Sequence, residues 1–326
     1  MKLMGTDPRL KQAQAAWAEI APDLGLDTAA YRAKLIWQKD EPARSHIVVR
    51  LKGPRPLILK QVFAAPDDAD LSAAIAAQRD AFERLAGSNS SHAPEVLFAS
   101  DDGRIVVMAE AAGKTLNDHL LAGKPHDKML RRAGAWLGAF HGSGPLEERT
   151  YQPKFMLRHA ARMRDAVRAG TLRVALPKMF VACCEQMPDK AAAAMDQQTT
   201  SAAKHGDFNL RNLLLGPEGE TGLDFKPAST APVGFDIARL LMDYAELFQP
   251  GEDVSEGRLL SDATLDAFFD GYRLVERDDP AVRFLPFVQL LNDWRLIPPN
   301  KTRRSWRQAA RMDRIEALAR TAFALN

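Results

Sequence analysis

One stretch constrains this chain more than any other. Residues 205–215 read His-Gly-Asp-Phe-Asn-Leu-Arg-Asn-Leu-Leu-Leu, and residues 222–225 follow as Gly-Leu-Asp-Phe. Leu213–Leu215 and Thr221–Leu223 are short apolar runs on either side of Gly216-Pro217-Glu218-Gly219-Glu220, a pattern that predicts a hairpin with a five-residue turn. With a symmetric turn Leu215 pairs with Thr221, and the ladder continues to set Asn212 opposite Asp224. Directly opposed residues hold their Cβ atoms about 5 Å apart, so both side chains can reach one cation. An amide and a carboxylate suit magnesium, which takes few protein ligands and fills its other positions with water and phosphate oxygens. Asp207 lies just before the hairpin, where a carboxylate can accept a proton from a hydroxyl. Taken singly, each of these residues reads equally well as an Asx turn or a cap that satisfies backbone groups. The three together, in this order and spacing, point to chemistry.

The remaining sequence supplies a frame for that stretch. Residues 8–20 read as a helix with Leu10, Ala13, Trp17 and Ile20 on one stripe. Three extended segments follow at 31–39, 45–51 and 57–62, separated by Glu41-Pro42 and Gly53-Pro54, which predicts an antiparallel meander. A helix is predicted at 69–86, then two strands at 95–99 and 104–109 around Asp101-Asp102-Gly103. That makes a small α+β unit of five strands and one inserted helix. Past Gly113 the pattern is helical, at 115–122, 127–141, 155–169, 178–196, 235–248, 262–274 and 304–323, with one extended patch at 212–225.

Composition narrows the class. With 46% hydrophobic and 26% charged residues among 326, disordered and fibrous chains are excluded. The opening MKLMGTDPRLKQ lacks the apolar core of a secretion signal, and no apolar run approaches the ~18 residues of a membrane span. A cytoplasmic protein without a membrane partner is expected. Cys183 and Cys184 are adjacent, which excludes a disulfide framework and suits two small buried hydrophobes.

An Asp followed five residues later by Asn, then by an Asp preceding Phe, resembles the kinase catalytic pattern. Gly206 after the histidine, and Leu223-Asp224-Phe225 with no following glycine, are similar to the aminoglycoside phosphotransferase and choline kinase group rather than to protein kinases. The resemblance implies a two-lobed protein-kinase-like fold of the α+β class. Its N-terminal nucleotide-binding lobe would span 1–108, with a five-stranded antiparallel sheet and one helix. A hinge would occupy 109–114, and a larger, mainly helical catalytic and substrate-binding lobe 115–326. It further implies that ATP and magnesium serve phosphorylation of a hydroxyl on a small-molecule acceptor, with Asp207 as base and Asn212 and Asp224 on the metal. Leu57-Ile58-Leu59-Lys60 resembles the strand whose lysine binds the α- and β-phosphates, although a strand lysine is ordinarily just an exposed side chain. Residues 107–113 resemble the hinge, where backbone groups of Ala109 and Ala111 would meet the adenine edge. Residues 137–141 resemble the helix that ends in a Leu-His-like pair. Pro232–Ala238 resembles the segment whose aspartate, Asp236, braces the catalytic loop from a helix N-terminus, and a first-turn acid is also what the helix dipole favours. His205 is expected to support the loop rather than react.

Two features depart from that pattern. The loop Lys39–His46 contains no glycine to let backbone amides approach phosphate, so Ser45, through its amide or hydroxyl, is the expected phosphate cover. The helix at 69–86 carries Gln78 at the centre of its apolar stripe, with Asp80 and Glu83 well round from that face. Gln78 therefore stands where the family has a glutamate for the lysine. On the acceptor side, residues 154–178 carry Lys154, Arg158, Arg162, Arg164, Arg168, Arg173 and Lys178 against Asp165, and residues 295–320 are similarly basic. Solvated helix faces are the bland reading. A pocket for polycations should be acidic, so the acceptor is expected to be neutral or anionic, a sugar or other metabolite, with Arg158 and Arg162 as candidate contacts. No stacking aromatics are interleaved, so nucleic acid is not an expected partner. Rival readings are a pseudokinase-like nucleotide-binding regulator, a true aminoglycoside kinase, and a protein kinase. The intact Asp207, Asn212 and Asp224 oppose the first, and the short Pro227–Pro232 leaves little room for the activation segment of the last. The sequence leaves the oligomeric state open.

Overall fold

Alternation of apolar and polar residues between 44 and 64 builds the first sheet. The structure, a computed structural model, describes residues 7–65, 67, 69–249 and 254–325. They form two compact units, one from residues 1–113 and 214–228, the other from 114–213 and 229–326. The first unit opens with helix α1 (Pro8–Asp23), whose N-terminus is capped by Asp7 accepting from the Arg9 amide. Strands β1 (Arg32–Glu41), β2 (Arg44–Lys52) and β3 (Leu57–Ala64) follow, then helix α2 (Ala69–Leu85), β4 (Ser91–His92), β5 (Val96–Ala99) and β6 (Ile105–Ala109). The five long strands make an antiparallel sheet in the order β1-β2-β3-β6-β5, as the meander pattern predicts. One face, with Ile47, Val49, Leu51, Leu57, Leu59 and Val107, is buried under Ala13, Trp17, Ile20 and Ala21 of α1. Because strand side chains alternate, His46, Val48, Arg50 and Lys60 occupy the opposite face.

The second unit begins with β7 (Lys114–Thr115), α3 (Leu116–Leu121), α4 (His126–Gly142), β8 (Glu147–Thr150), α5 (Lys154–Arg168), α6 (Pro177–Ala192) and β9 (Gln198–Ala203). The chain then runs through β10 (Leu213–Leu215) and β11 (Glu220–Gly222), the latter pairing in parallel with β4. It finishes with β12 (Thr230–Pro232), α7 (Gly234–Ala245), α8 (Asp262–Phe269), α9 (Pro280–Leu296) and α10 (Trp306–Phe323). Strands β12, β9 and β8 form a small antiparallel sheet.

Three features differ from the sequence expectation. Helix α9 was not predicted, because it contains Pro286 and has hardly any polar stripe: Ala281, Val282, Phe284, Leu285, Phe287, Val288, Leu290, Leu291 and Trp294 are all buried. A helix buried all round has no amphipathic signature to read. Strands β8, β9 and β12 were likewise unforeseen. The hairpin turn is also tighter than expected. The Gly216 amide donates to the Gly219 carbonyl at 2.8 Å, leaving only Pro217-Glu218 as the turn, so β11 starts at Glu220. That moves the ladder by one residue, so Leu215 falls opposite Glu220 instead of Thr221, and the expected opposition of Asn212 and Asp224 is lost. Elsewhere Cys183 and Cys184 are free and buried on α6, and burial pushes both thiols up to about 12. Among the described residues no helix is long and apolar enough to cross a membrane.

Helix α4 lies against α8 with almost no space between backbones. A Cβ on Gly134 would come within 2.2 Å of the Phe268 carbonyl oxygen, and one on Gly271 within 2.0 Å of the Arg131 carbonyl oxygen. This close approach matters because α4 carries Trp136, Phe140 and His141 toward the loop at 205–212. Gly134→Ala should therefore prise the helices apart and cost ~1–3 kcal/mol of stability, the scale of core overpacking. Urea unfolding would measure it, and an unchanged midpoint would show that the two helices yield freely.

Candidate active site

The loop that follows β9 is held from below by one carboxylate. Asp236 lies in the first turn of α7 and is buried, 2% exposed. It accepts the His205 amide at 2.7 Å and the Gly206 amide at 2.9 Å. Its third partner is His141 of α4, whose Nε2 lies 3.2 Å away while Nδ1 meets the Tyr272 hydroxyl at 2.9 Å. Burial alone would raise the Asp236 pKa, but the His141 bond, the histidine charges and the Gly206 amide outweigh it and hold the group below its ordinary value. Gly206 has φ +84°, a conformation at which a side chain is strained. His205 is fully buried among Trp136, Phe140 and Phe208, and its Nδ1 receives the Asp207 amide at 3.4 Å.

These contacts present Asp207 in a defined orientation. Its Oδ1 accepts from Asn209 Nδ2 at 3.1 Å and from Arg239 Nε at 3.2 Å. The side chain stays 30% exposed, enough for the other oxygen to meet a ligand. Asn212 donates through Nδ2 to the Asp207 carbonyl at 2.9 Å, which leaves its side-chain oxygen as the available donor atom. Arg239 was missed by the sequence reading. It follows Asp236 by three residues, so helical spacing places both on one face of α7, and that spacing was the available signal. Behind it stands a buried charge cluster. Arg239 Nη1 lies 3.7 Å from Asp293, and Arg311 of α10 reaches Asp293 at 3.5 Å, Asp243 at 3.3 Å and Glu246 at 2.5 Å. Burial, with Asp293 nearby, pushes Glu246 well above the usual carboxylate range. Burial would lower Arg239, but Asp293, Asp243 and Asp207 together raise it.

In the first unit, Lys60 of β3 donates to Asp224 Oδ1 at 2.6 Å. The Lys60 ammonium holds that carboxyl down to about 2. Asp224 sits at φ +58°, a left-handed conformation found at strained or functional positions, and about half of its side chain is exposed. Two expectations fail here. Gln78 is buried on α2, but its amide donates to the Pro94 carbonyl at 2.8 Å, so it anchors the segment before β5 and takes no part at Lys60. Asp80 pairs with Arg84 one turn along, and the buried face of α2 runs through Ala77, Gln78, Ala81 and Leu85, so the expected stripe holds at Gln78 and Leu85 but not at Phe82, which is exposed. Ser45 falls on the α1 side of the sheet, its hydroxyl accepting from Arg9 Nη1 at 3.5 Å, because alternation puts it with Ile47 and Val49. The residue that shares a face with Val48, the cross-strand partner of Lys60, is His46. The amide of Ala109 is spent on the Glu95 carbonyl at 2.9 Å, so a ligand could use only its carbonyl. Ala111 lies in the irregular stretch after β6.

The basic segments divide in two. Arg158 and Arg162 are exposed on α5, with the Arg158 guanidinium 4.5 Å from the Phe155 ring centroid. In the C-terminal segment Arg311 is spent on the buried acids, Arg314 on the Gln249 carbonyl, and Arg304 on the Pro298 and Pro299 carbonyls. Much of that arginine excess is structural.

A loop aspartate and an asparagine on braced backbone in the second unit, and a strand lysine paired with an aspartate in the first, are features of a phosphotransferase of protein-kinase-like fold. Residues 41–285 match the model of the phosphotransferase enzyme family, and the chain belongs to that family. It is similar to a choline/ethanolamine kinase family protein from Mesorhizobium loti, at 17% identity over 97% of this chain and 98% of the other, with a TM-score of 0.56. It also resembles amicoumacin kinase hAmiN, solved with AMP-PNP, Ca2+ and Ami, at 14% identity over 97% of both chains and a TM-score of 0.56. A third likeness is to aminoglycoside 2'-phosphotransferase-IIIa in its GDP complex, at 12% identity over 95% of this chain and 98% of the other, with a TM-score of 0.59. No curated protein matches in sequence.

The brace at Asp236 can be tested through its pH dependence. Asp236→Asn leaves one oxygen to serve three donors, and breaking a buried charged cluster of this kind costs ~3–5 kcal/mol. The folded-state pKa is depressed, so the stabilisation is fully present above the unfolded value near 3.8 and is lost as pH falls through the depressed value. The melting-temperature gap between wild type and variant should be wide at pH 7 and narrow toward pH 3. A gap that stays constant would show that the charge of Asp236 is not what stabilises the loop.

Proposed function

We propose that this phosphotransferase is a Mg-ATP-dependent kinase acting on a hydroxyl of a small neutral or anionic acceptor, a sugar or other metabolite. The observation that carries the reading is the setting of Asp207, with Oδ1 occupied by two donors and the second oxygen left for the acceptor proton. The acceptor oxygen attacks the γ-phosphorus, the bond from that phosphorus to the bridging oxygen breaks, and the hydroxyl proton passes to Asp207. Lys60 binds the α- and β-phosphates, and the Ala109 carbonyl and Ala111 backbone meet the adenine edge. His205 and Asp236 act through the loop backbone and touch no reactant.

The donor set suits magnesium. Asn212 has its amide nitrogen committed and its oxygen available, and Asp224 has one oxygen on Lys60 and one remaining, so each offers a single hard oxygen. When bound, the ion would neutralise phosphate charge. The acceptor preference rests on the exposed Arg158 and Arg162 of α5, since unpaired arginines beside a polycation cost several kcal/mol, while forked contacts to carboxylate or sugar oxygens gain.

Asp207→Asn should lower kcat at least ~100-fold with ATP affinity barely changed, whereas Asp224→Ala should abolish magnesium-dependent nucleotide binding. Calorimetric titration of both variants alongside steady-state kinetics separates the roles, and equal loss of nucleotide affinity in the two would refute the assignment. For the acceptor, a panel of sugars, sugar acids, amino alcohols and aminoglycosides should give turnover only with neutral or anionic members. Phosphorylation of an aminoglycoside with kcat/KM near the ~10⁴–10⁸ M⁻¹s⁻¹ of competent enzymes would overturn that preference.

A further inference from the structure

Residues 31–52 contain no glycine, and the β1–β2 hairpin is laddered to its end, with Glu41 opposite Arg44 and only Pro42-Ala43 left as the turn. A hairpin laddered to a two-residue turn, whose every residue carries a Cβ, cannot wrap successive backbone N–H groups around a phosphate chain. Any cover from this element must come from side chains. Ser45 is turned toward α1 and Arg9. His46 is turned the other way. It sits opposite Val62 while Val48 sits opposite Lys60, so His46 and Lys60 are diagonal neighbours on one face, a spacing that long side chains bridge.

Three further observations single out this histidine. Its ring lies against Trp37 of β1, with centroids 4.9 Å apart and planes inclined by 35°, so the imidazole is held in place while the indole stays half exposed. Among the described residues, neither ring nitrogen hydrogen-bonds to a protein group. Its electrostatic surroundings are those of a phosphate site: half burial first, then Lys60, with Lys39 and Lys226 adding to it and Asp224 opposing, push His46 below its ordinary value. Its ring therefore has an N–H to offer a ligand.

We propose that His46 is a phosphate-binding residue, donating from its ring to a β- or γ-phosphate oxygen of the nucleotide held by Lys60, in the place a glycine-rich loop would otherwise fill. The inference rests on the reading of Lys60 as the nucleotide lysine, and it adds a ligand contact that no motif in the sequence marks. Because the contact is a hydrogen bond from a ring N–H, a side-chain amide can replace it and a methyl group cannot.

The test needs no acceptor. Adenosine, AMP, ADP and ATP, each with magnesium, are titrated calorimetrically into wild type, His46→Ala and His46→Gln, with melting temperatures recorded alongside. His46→Ala should weaken ATP, and to a lesser degree ADP, by about 10–150-fold, the range of one hydrogen bond to a charged group, and leave adenosine and AMP unchanged. His46→Gln should recover ATP affinity to within about 3-fold of wild type. A loss in His46→Ala that is equal along the series would show a structural role and overturn the proposal, as would undiminished ATP affinity. If wild type binds no member of the series, the nucleotide reading of Lys60 itself fails. If wild type binds ATP and the histidine variants match it, only the assignment of His46 falls.

Discussion

Everything the second unit does chemically depends on the carboxylate of Asp236. A buried, ionised acid is costly unless each oxygen finds donors, and here the donors are the amides of His205 and Gly206 together with His141. The cost of burial is turned into geometry. Two consecutive amides can aim at one carboxylate only if the chain bends sharply, which is why a glycine stands at φ +84° between the histidine and Asp207. The same constraint reaches outward through His141 to Tyr272, and so to the close packing of α4 on the segment around α8. The loop at 205–212 is thus positioned by a helix N-terminus, a second helix and a tyrosine remote in sequence. None of these needs to contact a reactant.

A second layer runs behind Asp207. Arg239 carries charge from that carboxylate to Asp293, and Arg311 links Asp293 to Asp243 and Glu246, so the C-terminal helix is tied into the support of the loop. Asp243 also accepts the Leu210 amide at 3.3 Å. Four buried or half-buried acids share two arginines, and Glu246, the most deeply buried of them, is pushed up well above its ordinary range. A cluster of this kind contributes little net stability, since desolvation opposes attraction. Its value is orientational: it leaves Asp207 one favourable direction for its bound oxygen.

In the first unit the pairing of Lys60 with Asp224 changes the usual division of tasks. The lysine is paired with the acid that follows β11 rather than with a glutamate on α2, and Gln78 fastens α2 to the strand segment before β5. An amide suits that task better than a carboxylate would, because its partner is a carbonyl oxygen and only a donor can satisfy it.

Much of this was legible in the residues. The Val-, Ile- and Leu-rich runs, the breakers between them, and the helical spacing of apolar residues at 69–86 were enough to predict the five-stranded sheet with its inserted helix, because those signals are local. The spacing of Asp207, Asn212 and Asp224 singled out the positions proposed to react, because phosphoryl transfer needs a fixed order of side-chain types. What only the tertiary structure decided is which partner each versatile group takes. Gln78 could have faced Lys60 or a carbonyl, Ser45 and His46 exchanged faces depending on where α1 packed, and the hairpin turn could close over two residues or five. Arg239 and Arg311 looked like two more basic side chains in a basic protein until Asp293 and Glu246 were folded against them. Helix α9 lacked a readable pattern because apolar residues are buried on most of its circumference. Sequence periodicity reports how a segment meets solvent, whereas the choice among long-range hydrogen-bond and ion-pair partners is made by packing, and in this protein that choice sets the site.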